Sequence, residues 1–166
     1  MPSIELTVLP THCDSSGHVN ETAFLKLFEQ ARWEQLARGP GLGVFLKGGA
    51  WPAVRKATLE FHATVAAGDR LRFETSLTHH GRTSFSLHQT ARRDGGDVVA
   101  DADLVFVCVD AKSEPTPVPD EIAQFFGRRP SVRASDTHHL SVRELAVAYD
   151  VQGDGFGGLP LPGEGE

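Results

Sequence analysis

The sequence predicts an α+β fold in which an antiparallel sheet wraps around one long central helix. Three observations lead there. Between about Glu21 and about Arg38, Phe24, Leu27, Phe28 and Ala31 form one helical stripe, widened by Leu25 and Leu36, with Lys26, Glu29, Gln30 and Glu34 turned away. From Val54 onward the apolar period changes to two, as strands buried on one face require. Turn signals then divide that alternating region into strand-length pieces. A helix with so much apolar surface has to pack on the concave face of the sheet.

Taken in order, Ile4, Leu6 and Val8 alternate with polar residues and read as a first strand, ended by Pro10. A polar cluster, "THCDSSGHVN", runs directly into the long helix, and "GPGLG" at 39–43 stops that helix. "GLGVFLKGGAW" reads as a loop. Four strands are then expected as an antiparallel meander. Leu59, Phe61, Ala63 and Val65 supply the apolar positions of its first strand, Leu71, Phe73 and Leu77 those of its second, and Phe85, Leu87 and Ala91 those of its third. "AAGD" at 66–69, "HHGR" at 79–82 and "RDGGD" at 93–97 are the turns between them. The last strand, "VVADADLVFVCVD", is apolar on both faces and should be central or covered on both sides. "PDEIAQFF" at 119–126 reads as a short helix. Residues 1–127 are expected to form one domain and 128–166 an extension with a Gly/Pro-rich end, within which "HHLSVRELAVAYDV" would add a strand or helix.

Charge and cysteine content narrow the function classes. A net charge of −6 argues against a broad nucleic-acid surface, which needs a basic stripe, but leaves room for an anionic small molecule held by a few arginines. Cys13 and Cys108 do not resemble a disulfide framework. "MPSIELTVLP" lacks the apolar core of a signal peptide, and no run approaches membrane-spanning length. A cytoplasmic protein without a membrane partner is the expectation.

The junction at residues 11–34 concentrates the chemistry, because a helix N-terminus offers N–H groups without intrahelical partners and a positive dipole end. Asp14 is a candidate catalytic carboxylate there, although an Asp before Ser-Ser-Gly ordinarily serves a turn or a cap. Asn20 suits the N-cap and is also a candidate substrate contact. His18 is a candidate pocket residue or a backbone ligand, and Gly17 a site of tight backbone approach. Cys13, His18 and Asn20 suggest a rival nucleophilic set. In an extended segment, however, Cys13 and Asp14 point to opposite faces, and a neighbouring carboxylate disfavours a thiolate. Arg82 and the pair Arg92–Arg93 are candidates for contacting phosphate groups. No metal site is expected, since His79–His80 and His138–His139 are adjacent pairs and no H-x-x-x-H or C-x-x-C spacing occurs.

"CDSSGHVNETAFLKLFEQAR" resembles the D-x-x-G-H-V-N-N-x-x-Y signature of the 4-hydroxybenzoyl-CoA thioesterase-like hotdog-fold acyl-CoA thioesterases. "LEFHATVAAGDRLRFETSL", "HHGRTSFSLHQTARRDGGDVVADADLVFVCVD" and "PTPVPDEIAQFF" resemble that family's following segments in the same order, so the likeness covers roughly residues 4–126. The resemblance implies a hotdog fold and hydrolysis of an acyl-CoA, with Asp14 as the catalytic carboxylate. It further implies an oxyanion donor N–H at Glu21 or a neighbour. His12, Glu21 and Phe24 depart from the family's acidic residue, second Asn and Tyr. Glu21 brings a second carboxylate, expected to raise the pKa of Asp14.

Gly17, His18, Asn20, Glu21 and Arg82 are therefore the expected substrate-binding residues. Coenzyme A would enter as part of the substrate, with no cofactor, and the chain would assemble as a homodimer or dimer of dimers. Hydrolysis of acyl carrier protein thioesters and non-catalytic acyl-CoA binding are the competing expectations. A basic pocket mouth would favour the carrier protein, and an Asp14 locked as a cap would favour the binding module.

Overall fold

Alternating side chains build five strands in the computed structural model of the protein, which describes residues 3–94 and 96–126. They are β1 (Ser3–Thr7), β2 (Trp51–Phe61), β3 (Arg70–His80), β4 (Ser84–Arg93) and β5 (Val98–Val109). The helices are α1 (Glu21–Arg38), α2 (Gly43–Lys47) and α3 (Asp120–Phe126). The extension at 128–166 lies outside the described residues.

Every strand pairing is antiparallel, and the sheet order is β1-β3-β4-β5-β2. The expected four-strand meander is therefore corrected: β3, β4 and β5 follow one another, whereas β2 crosses to the far side and pairs with β5 from Trp51↔Val109 to Phe61↔Ala100. The turn signal "AAGD" is real, with Asp69 N–H on the Ala66 carbonyl at 3.1 Å and Ala66 N–H on Asp69 Oδ2 at 3.0 Å. It feeds β3 from a connection, residues 62–69, that spans the sheet end and is too long for a tight hairpin. β5 is interior, flanked by β4 and β2, as its two apolar faces imply. β2 begins at Trp51, earlier than the alternation suggests, because Pro52 obscures its start.

Asn20 and Gly39 delimit α1. The Asn20 Oδ1 accepts the Ala23 N–H at 3.0 Å, and Gly39 and Gly41 N–H both return to the Leu36 carbonyl. A side chain at Gly39 would stand 2.2 Å from the Phe125 ring, so the absence of a Cβ lets α3 approach the helix end. The expected stripe is buried at Phe24, Leu27, Phe28, Ala31 and Leu36, while Leu25 is half-buried. Phe28 meets Phe73 of β3 edge-on at 5.3 Å between ring centroids and lies 5.7 Å from Phe24, which seats the helix on the sheet's inner face. "GLGVFLKGGAW" is not simply a loop. Within it α2 buries Val44 and Phe45, whose ring stacks on Phe85 at 6.4 Å.

Two polar residues join this apolar seam. Arg32 is 3% and Gln35 2% exposed on the buried side of α1. The Arg32 guanidinium lies 5.1 Å from the Phe106 ring and 5.2 Å from that of Trp33, and its Nη1 donates to Gln89 Oε1 at 3.3 Å. Gln89 in turn donates from Nε2 to the Phe28 carbonyl and to Thr75 Oγ1, both at 3.1 Å. The charge is thus stacked and bonded within a bridge from α1 through β4 to β3.

Phe28→Ala should destabilise the fold by about 3–5 kcal/mol, the range for truncating a fully buried aromatic. A denaturant midpoint unchanged from the unmutated chain would show that the helix is not seated through this ring.

Candidate active site

The polar cluster folds into a closed loop because backbone groups tie it at both ends. Cys13 and Val19 form an antiparallel bridge, and within it Asp14 N–H donates to the His18 carbonyl at 3.0 Å. Gly17 N–H returns to the Asp14 carbonyl at 2.9 Å, with Gly17 at φ +83°. A Cβ on Gly17 would meet nothing within 4 Å, so its requirement is the left-handed conformation and not the tight approach expected from sequence. The loop is fastened to the β2–β3 connection by Val19 N–H on the Val65 carbonyl at 2.9 Å and by a bridge between His18 and Ala66. Val8 N–H reaches the Asp69 carbonyl and Gly68 N–H the Val8 carbonyl, each at 2.8 Å, which completes the frame.

Asp14 is exposed at the rim of this loop. Its Oδ1 accepts two bonds from Ser16, one from the hydroxyl at 2.5 Å and one from the N–H at 2.9 Å. Oδ2 has no hydrogen bond among the described residues. The Ser16 hydroxyl, then the Ser16 N–H, hold the Asp14 carboxyl below the usual aspartate value, with smaller help from a His18 backbone bond and the His18 charge. The expected upward push from Glu21 is corrected. Glu21 is not among the groups that shift Asp14, and the two Ser16 donors stabilise the charged form directly. Ser16 is the residue the sequence reading missed, although Asp-x-Ser is the spacing of an Asp side chain folding back on the backbone two residues ahead.

The remaining candidates separate clearly. Asn20 caps α1 through Oδ1, and its carbonyl accepts the Phe24 N–H at 3.0 Å. The N–H groups of Ala23 and Phe24 are thus engaged at the cap. His18 Nδ1 stands 3.4 Å from Ser16 Oγ, and Glu21 is the exposed first residue of α1. Cys13 is half-buried, and its thiol is directed back to the Leu9 carbonyl at 3.7 Å, not toward His18 or Asn20. His12 Nδ1 accepts the Leu9 N–H at 2.9 Å and closes the short turn of residues 10–12. Burial pushes the Cys108 thiol up to about 11.

Arg82 lies apart from the Asp14 loop within one chain. It follows β3, whereas that loop is fastened to the connection that precedes β3, so the length of a strand, roughly 30 Å, divides them. The topology sets this separation, since a turn between β3 and β4 must lie at the end of the sheet opposite residues 62–69. Arg92 and Arg93 are not loose turn charges either. Arg92 donates to Glu74 at 3.3 Å and to the Gly96 carbonyl at 3.1 Å, and Arg93 donates to the Thr64 carbonyl.

A five-stranded antiparallel sheet wrapped around one long helix is the hotdog fold. Residues 8–126 match the model of the thioesterase-like superfamily, and the chain belongs to that family as a thioester hydrolase. It is similar to the long-chain acyl-CoA thioesterase FadM of Escherichia coli (strain K12), 25% identical over 111 residues that span 66% of this chain and 84% of that protein. Among solved structures, YbaW, a probable thioesterase from Escherichia coli, shares the fold with a TM-score of 0.65 at 24% identity, covering 74% of this chain and 93% of that one. Slr0204, a 1,4-dihydroxy-2-naphthoyl-CoA thioesterase from Synechocystis, shares it with a TM-score of 0.67 at 20% identity, covering 75% and 93% respectively.

Ser16→Ala removes the largest of the influences that lower Asp14. The Asp14 pKa should therefore rise toward the ordinary aspartate value, as read from its side-chain carboxyl resonance during an NMR pH titration. An unmoved titration midpoint would contradict the hydrogen-bonded geometry of the loop.

Proposed function

We propose that this protein hydrolyses an acyl-CoA thioester to a carboxylate and free coenzyme A, with Asp14 as the catalytic carboxylate and the N-terminus of α1 as the oxyanion site. The observation that carries this reading is the exposed, ionised Asp14, held by Ser16 on Oδ1 alone, on the loop that leads into α1. The relatives named for acyl-CoA and naphthoyl-CoA hydrolysis support the substrate class. The positive end of the helix dipole stabilises charge developing on the thioester oxygen. Asp14 either attacks the carbonyl carbon, forming an anhydride that water opens, or takes a proton from the water that attacks. On both routes the C–S bond breaks and its electron pair leaves on the coenzyme A sulfur. The oxygen of water ends in the product acid. A thiolate leaves readily, so no strong general acid is needed, and the steps assigned to Asp14 use no cofactor or metal.

His18 and Glu21 border the same loop–helix junction and are the substrate-facing neighbours in this reading. Asn20 acts through the cap. Free Cys13 and Cys108 suit a reducing, cytoplasmic setting, and no helix among the described residues is long and apolar enough to cross a membrane.

Asp14→Asn keeps shape but removes nucleophile and base. Turnover of a panel of acyl-CoA substrates, followed by thiol release, should fall by at least about 10²-fold, while substrate binding survives. Cys13→Ser should stay within a few-fold of the unmutated chain. Full activity in Asp14→Asn together with loss in Cys13→Ser would overturn the assignment. Binding without cleavage of any acyl-CoA by the unmutated protein would favour the non-catalytic reading, for which the Ser16 bonds to Asp14 Oδ1 are the specific support.

The active unit is proposed to be a homodimer, or a dimer of dimers, joined along β2. That strand is an edge, Trp51 and Phe61 at its two ends are 54% and 42% exposed, and an open edge of this length invites pairing. Two-fold pairing of β2 with its copy sets the Trp51 end of one chain against the Phe61 end of the other. The partner subunit's Arg82 then lies at the same end of the double sheet as the Asp14 loop, which restores a route for it to contact phosphate. Sedimentation should give a dimer or larger species, and a stable, fully active monomer would rule this assembly out.

A further inference from the structure

On the outer face of the sheet, away from the packed side of α1, strand pairing collects four metal-ligating side chains from three strands, and a fifth stands just past the end of β2. Asp101 and Asp103 of β5 share a face because they are two residues apart, and their neighbours Ala100, Ala102 and Leu104 fill the buried face. Register sets Glu60 of β2 opposite Asp101 and His88 of β4 opposite Asp103, and His62 follows directly after β2. His62 Nε2 lies 2.8 Å from Asp101 Oδ2, and His88 Nδ1 lies 2.8 Å from Asp103 Oδ1. Two triads result, Glu60–His62–Asp101 and His88–Asp101–Asp103, with ligand atoms within 4.8 Å of one another in each and Asp101 common to both.

From this geometry we infer that the outer face of the sheet binds a divalent transition-metal ion at the Glu60–His62–Asp101 triad, with Asp101 shared by the His88–Asp103 pair. Three arguments converge on it. The first is reach: an ion with bonds of about 2.0–2.2 Å to nitrogen and oxygen draws together donors spaced like these after small side-chain rotations. The second is charge. Glu60, Asp101 and Asp103 gather three carboxylates beside two imidazoles on one face, and a dication matches that donor set. The third is rigidity, because Glu60, His88, Asp101 and Asp103 stand on hydrogen-bonded strands of fixed register, and the His62 N–H just beyond β2 is tied to the Val99 carbonyl at 2.8 Å.

The donor set selects the ion class. Mixed imidazole and carboxylate ligands suit Zn2+, Co2+ or Mn2+, whereas Mg2+ and Ca2+ prefer oxygen alone. The ion would tie the edge strand β2 to β5. Spacing rules for helices and loops do not reveal such a site. Its signature is Glu60-x-His62 and Asp101-x-Asp103, two period-two pairs that only strand pairing brings together.

The test uses the full chain, stripped with chelator and dialysed against Zn2+, with bound metal measured directly and Co2+ titrated by visible absorption. At least one equivalent per chain should bind, and bound Co2+ should show the d–d bands of a nitrogen–oxygen site. Asp101→Asn and His62→Ala should each weaken binding by at least about tenfold. His138→Ala/His139→Ala should leave it unchanged. Circular dichroism confirms that each variant is folded, and His62→Ala carries the test if Asp101→Asn is not. Absence of stoichiometric binding, binding that survives both single changes, or binding lost with His138 and His139 would each overturn the inference.

Discussion

The seam between α1 and the inner face of the sheet supports both the core and the site. Phe28 seats the helix on Phe73 of β3, and Gln89 bonds the Phe28 carbonyl from β4, so both a ring contact and a hydrogen bond fix the helix at one position along its axis. A helix held only by apolar contacts can slide or rotate by a fraction of a residue at little cost. The bonds that Gln89 donates to Phe28 and Thr75 and accepts from Arg32 are directional and penalise such a shift. Where the N-terminus of α1 stands relative to the Asp14 loop is therefore decided in the middle of the molecule.

Much of the fold was legible because period and punctuation agreed. The bounds of α1 follow from a polar cap at Asn20 and a glycine stop at Gly39, and the strands follow from alternation between turn residues. What could not be read was which strand pairs with which. The alternation in β2 and β3 is as clear as in β4 and β5, yet β4 and β5 both lie between the first two. Local periodicity reports which face of a strand is buried and carries no information on its lateral neighbour. Arg32 and Gln35 were missed for a related reason, since a polar residue on an apolar stripe looks like a flaw until its partners on other elements are known.

The site shows the same division. Asp14 and its place before the helix could be read from the chain, and so could the capping role of Asn20. The direction of the Asp14 shift could not, because it depends on whether Ser16, within the loop, or Glu21, beyond it, faces the carboxylate. Residue type argued for Glu21, and geometry decides for Ser16. Arg82 failed within one chain for lack of topology. The turn that carries it looks as near to the site as any other until the strands are laid side by side.

The frame that holds Asp14 is built almost wholly from main-chain bonds: Asp14 to His18, Val19 to Val65, Val8 to Asp69 and Gly68 to Val8. Such bonds are indifferent to side-chain identity. Ser15, Ala63 and Ala67 can therefore vary while the carboxylate keeps its station. A lineage built on this frame can alter what surrounds Asp14 without rebuilding the loop that holds it.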